Sequence, residues 1–199
     1  MKVYLGWGAF LQLCEYLLPD IELAIEKETG EKPKIVFDYN DKELLGEFPD
    51  EYLYALKRLA AHLSLKGTVP ERSFVEDTSA AEDDELITYI DNYKKGAEFA
   101  SLIFFSESLG IYLPVKGLKE PLHFEHEDKS VEICSIGSLY SLRDDLLKLK
   151  EKLGNKPEGQ FDEKVPWHIE FEILEKLLNW TERAIREEKP LILVGEGEE

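Results

Sequence analysis

One stretch limits the fold more than any other. Val131-Glu-Ile-Cys-Ser-Ile136 alternates apolar and polar residues at period two, as a strand with one buried face does. Ser138 then supplies a helix-capping hydroxyl, and Leu139, Leu142, Leu146 and Leu149 recur at helical spacing to about Leu153. Strand and helix therefore mix in this chain, and local patterns elsewhere agree.

Met1 to Gly6 reads as a short strand or the lead-in to a helix. Phe10, Leu13, Cys14 and Leu17 predict a helix that Pro19 breaks. Asp20 is then expected to cap a second segment carrying Ile21, Leu23, Ala24 and Ile25, ended by Gly30. Lys34–Tyr39 predicts a strand. Pro49-Asp50-Glu51 opens a helix with Leu53, Leu56, Ala60 and Leu63 inward, closed by Gly67. Residues 67–81 read as a long polar loop. A helix from about Glu82 is expected to use Leu86, Ile87, Ile90 and Tyr93, and another after Gly96 to use Phe99, Leu102, Ile103 and Phe105. Pro114 places the strand Ile111–Val115 at a sheet edge or a strand end. Pro166 opens a last helix through Trp167, Phe171, Leu174, Leu177, Leu178 and Ile185, and Leu191–Val194 reads as a final strand before a frayed end at 195–199. No repeat and no regular strand–helix alternation is present. The expected fold is α+β: a helix-rich single domain over residues 1–199 with a small mixed or antiparallel sheet.

Charge narrows the partners. The 199 residues hold 42 acids and 24 Lys and Arg, a formal charge of −18. The excess is not a tail: residues 1–100 carry a net −10 and residues 101–199 a net −8. A field of this sign repels nucleic acid and anionic lipid, and attracts basic proteins. A hydrophobic fraction of 43% places the chain among folded globules rather than disordered acidic tails. Cys14 and Cys134 both sit in apolar stretches and read as buried free thiols. The opening Met-Lys-Val-Tyr-Leu-Gly-Trp-Gly lacks the pattern of a signal peptide, so the expected location is cytoplasmic.

Two local clusters attract attention. Glu76, Asp77, Glu82, Asp83, Asp84 and Glu85 contain no intervening base, with Tyr89 just beyond. They are the expected partner-binding residues, carboxylates meeting Lys or Arg. His123 and His126, flanked by Glu125, Glu127 and Asp128, have the ligand types of a metal site. On a strand, however, positions i and i+3 face opposite sides. Asp38 to Glu43 fails as a calcium loop, with Lys42 at a ligand position and Glu43 where glycine belongs. No phosphate loop, dinucleotide fingerprint or nucleophile elbow is present. No catalytic residue and no cofactor is assigned.

The run Tyr112-Leu-Pro114-Val115, then Pro121-Leu122, then Gly137-Ser138 and Pro166-Trp167 opening helices, resembles an uncharacterised family of bacterial cytoplasmic proteins over residues 96–190. The resemblance implies no activity and no catalytic residues. The reading preferred from the sequence is an acidic interaction protein and not an enzyme, such as an immunity protein or an inhibitor of a basic partner. The alternatives are a small-molecule-binding or structural housekeeping protein, and a metal-dependent enzyme using His123 and His126. Oligomeric state is left open.

Overall fold

In the computed structural model, residues 1–75, 85–125, 132–154 and 166–195 are described. Leu191-Ile-Leu-Val194 and Leu109-Gly-Ile-Tyr-Leu113 are buried at every position, and the sheet is built around them. Such strands, covered on both faces, need helices on both sides.

The strands are β1 (Lys2–Leu5), β2 (Glu43–Glu47), β3 (Leu109–Leu113), β4 (Leu122–Glu125), β5 (Glu132–Ser138) and β6 (Leu191–Val194), in the spatial order β2-β1-β6-β3-β5-β4. All neighbours are antiparallel except β3 and β5. The helices are α1 (Trp7–Cys14), α2 (Leu18–Thr29), α3 (Asp50–Lys66), α4 (Glu85–Asp91), α5 (Ala100–Ile103), α6 (Leu139–Lys152) and α7 (His168–Glu187). The fold is the expected α+β, with a mixed sheet.

Strand periodicity sorts the core into two layers. Leu191 and Leu193 join Val3, Leu5 and Tyr112 under α3, α6 and α7. Ile192 and Val194 join Ile111, Leu113, Cys134 and Ile136 under α1 and α2. Ser138 caps α6 as expected, its hydroxyl accepting from Tyr140 N and Ser141 N. Gly30 and Gly67 close α2 and α3 in the left-handed conformation. Cys14 and Cys134 are buried free thiols.

Several expectations change. Lys34–Tyr39 forms no strand; the strand is Glu43–Glu47, although two glutamates and a glycine make it a poor one by propensity. The partner edge decides: β1 lies between β2 and β6, and the 38–41 backbone is occupied against the start of α1. Pro19 stands in the first turn of α2, where its missing N–H costs nothing, and a 3-10 turn at Glu15–Leu17 makes the break. Asp20 lies within that first turn and does not cap it. Ile87 and Ile90 are exposed, because α4 turns Leu86 and Tyr89 toward the core. Helix α5 has only four residues. Pro114 does follow a strand end, but β3 is central rather than an edge. Of the expected loop 67–81 only residues 67–75 are described, without helix or strand; 196–199 lie outside the described residues.

Candidate partner-binding surface

The acidic run expected to meet a partner is only partly within view. Glu76, Asp77, Glu82, Asp83 and Asp84 lie outside the described residues. Glu85 opens α4 and is engaged from within: Arg58, His62 and Lys66 of α3 approach its carboxylate at 3.6, 3.3 and 3.2 Å. Burial raises the Glu85 carboxyl, but hydrogen bonds from its backbone, His62 and Lys66 outweigh that and hold it below the usual range. Tyr89 is 3% exposed, and its hydroxyl donates to the Glu98 carbonyl at 2.5 Å. The structure thus places Tyr89 in the core and Glu85 in an internal ion cluster, with neither presented as a free surface group.

His123 is exposed on the edge strand β4, opposite Ser135 of β5. His126 lies outside the described residues, as do Glu127 and Asp128. Among the described residues no group of three or more His, Cys, Asp and Glu side chains is placed to hold a metal ion.

What the fold does with its bases shapes the surface. Lys57 is 2% exposed, donating to the Phe105 carbonyl at 2.7 Å and to Glu107 at 3.1 Å. Arg58 is likewise buried, over the Phe74 ring and beside Glu85. Most Lys and Arg of α6 and α7 are matched: Lys148 and Lys152 hold Glu98, Lys150 holds Glu175, and Arg183 grips both Glu43 oxygens at 2.9 and 2.6 Å. That grip lowers the Glu43 carboxyl.

The α1–α2 side is different. Between Glu15 and Glu31 the chain holds six acids, Glu15, Asp20, Glu22, Glu26, Glu28 and Glu31, against the single base Lys27. Their placement follows from helix period: Leu18, Ile21 and Ile25 face the sheet, so the acids take the flanks and the outer face. Among the described residues only Glu26 of these six has a salt-bridge partner, Lys32 at 3.8 Å, and that pair is exposed and weak. The result is a set of uncompensated carboxylates on one side of the sheet.

Beside them lies the segment that sequence periodicity reads as a strand. It crosses the N-terminus of α1, where glycines admit it. A Cβ on Gly8 would meet the Tyr39 carbonyl oxygen at 2.5 Å, and Gly6 adopts φ 127° against Asp41. Asp41 fastens the crossing, its carboxylate accepting from Trp7 N at 2.9 Å and from Lys189 Nζ at 2.5 Å, while its carbonyl accepts from Gly8 N. Tyr39 donates its hydroxyl to Glu15 at 2.5 Å, and Lys42 donates to Gln12 at 3.0 Å. Glu15 holds the Tyr39 hydroxyl protonated above its usual range.

The α1–α2 surface is not among the sequence-predicted sites. Its signal was available as a simple count of acids against bases over residues 15–31, but helix periodicity dominates that stretch. The pairing of acids elsewhere needs the folded structure.

A family described as "Putative DNA-mimic protein" matches residues 17–193, and the chain belongs to it. No curated protein and no solved structure matches the chain. Among the described residues no helix is long and apolar enough to cross a membrane.

Proposed function

We propose that this member of the DNA-mimic family acts as a protein stand-in for the DNA phosphate backbone, occupying the DNA-binding face of a basic protein. The observation that carries the reading is the α1–α2 surface, where five of six carboxylates have no ion-pair partner among the described residues. Glu22 and Glu26 stand one helical turn apart, about 6 Å. Rows of such charges attract the same Lys and Arg that neutralise phosphates. Burial of Lys57 and Arg58 keeps two cations from contact with a partner at the surface. By excluding DNA such a protein is an inhibitor, and toward a toxic nuclease it would be an immunity protein.

The test passes lysate of the source organism over the immobilised protein and elutes with a double-stranded DNA oligonucleotide. The expected result is recovery of proteins that themselves bind DNA, with retention falling steeply between 50 and 200 mM salt, as contacts to several charges require (roughly 10³-fold or more for six). The charge-reversed variant Asp20→Lys/Glu22→Lys/Glu28→Lys should retain little. Retention that ignores salt, or that DNA does not displace, refutes the reading.

A further inference from the structure

The 36–41 segment carries aromatic groups that the fold leaves outside. Phe37 is 64% exposed, Tyr39 49%, and Tyr16, adjacent in sequence to the Glu15 that binds Tyr39, is 67% exposed. Val36 turns toward a separate cleft of about 140 Å³ with Trp7, Pro114 and Tyr140. Scattered single apolar residues on a surface are ordinary, but here Phe37 lies two residues from Tyr39, and the Tyr39–Glu15 bond brings that segment to the neighbour of Tyr16. The Asp41 clamp, the close approach at Gly8 and the Tyr39–Glu15 bond fix the backbone that bears Phe37 without packing its ring. Backbone ordered before any partner arrives lowers the entropic cost of docking, although the ring itself stays free in water.

We propose that Phe37, Tyr39 and Tyr16 form the apolar anchor of the partner interface, seated among the basic residues of the DNA-binding face of the partner. This rests on the DNA stand-in reading and adds what charge alone lacks, a desolvated centre with an acidic surround. Charge complementarity selects the occupant. Glu15 precedes Tyr16 and bonds Tyr39, Asp38 stands between Phe37 and Tyr39, and residues 15–41 hold eight acids against three bases. A second copy of this chain would bring like charges together at net −18 each, whereas a basic surface meets opposite charge. Aromatic anchors ringed by polar groups are where binding energy concentrates in protein interfaces.

The experiment uses the purified DNA-displaceable protein recovered in the preceding test as the probe, and measures Kd at two salt concentrations. Phe37→Ser and Tyr16→Ser should each weaken binding about tenfold or more, with the salt dependence unchanged. The Asp20/Glu22/Glu28 reversal should instead flatten the salt dependence. Both aromatic side chains are exposed, so unaltered thermal unfolding of each variant serves as the folding control. Unchanged affinity of Phe37→Ser beside a failed charge-reversed variant overturns the anchor while the DNA stand-in reading survives. A wild-type protein with no DNA-displaceable partner overturns both. A wild-type dimer in sedimentation that Phe37→Ser dissociates places a second copy on the rings and also overturns the proposal.

Discussion

Asp145 offers a quantitative check on the energetics of the fold. Its carboxylate lies against α5 and accepts from Leu102 N at 3.1 Å, with further bonds from the Ser101 and Phe99 amides. Burial nevertheless dominates and pushes the carboxyl up to about 6, from an ordinary 3.8. The folded state therefore holds this proton more tightly than the unfolded chain. The associated stability is complete below pH 3.8 and is lost as pH rises through 6. A shift of about two units corresponds to about 3 kcal/mol at 1.36 kcal/mol per unit. Asp145→Asn removes the ionisation and also one of the two acceptor oxygens, so its stability at any single pH mixes two effects. Its pH dependence does not. Urea unfolding of both proteins at pH 4, 5, 6, 7 and 8 should show the variant gaining about 2.5 kcal/mol on the wild type between the extremes, with the change centred near pH 5. Glu43, Glu85 and Glu98, whose carboxyls are lowered, contribute the opposite slope in both proteins and cancel in the comparison. Parallel curves for the two proteins would show that Asp145 does not titrate as burial requires.

Other outcomes are equally direct. Ser138→Ala removes the cap of α6 and the bond to the Val115 carbonyl at 2.6 Å, and should lower unfolding free energy by about 1–2 kcal/mol in denaturant titration. Gly8→Ala forces its Cβ against two carbonyl oxygens, Tyr39 at 2.5 Å and Asp38 at 2.9 Å; stability should fall by about 1–3 kcal/mol. In the same variant, protease nicking near residue 39 should accelerate, and unchanged cleavage would show that the segment is not held there. Cys14 and Cys134 are fully buried, and a hydrogen bond between them together with burial raises the Cys14 thiol. A thiol reagent such as Ellman's should label neither in the native protein and both on unfolding; rapid native labelling would place the thiols nearer to solvent.

The mixture of strand and helix and most of the core were set by patterns within a dozen residues, and the acid excess by composition alone. Leu139, Leu142, Leu146 and Leu149 announce one face of α6, and Leu191–Val194 announces a strand, because periodicity and apolar runs express local burial directly. Pairing is another matter. Val36, Phe37 and Tyr39 have every local mark of a strand, yet β1 takes Glu43–Glu47 instead. Hydrogen bonds to Asp41 and the room left by Gly6 and Gly8, contributed by distant parts of the chain, keep the better strand former outside the sheet. Charge behaves likewise. A net −18 is a sum over residues and needs no structure. Which carboxylates remain uncompensated depends on which bases reach them in space: Arg183 reaches Glu43 across 140 residues, Lys57 and Arg58 are drawn inside, and five of the six acids between Glu15 and Glu31 have no ion-pair partner among the described residues.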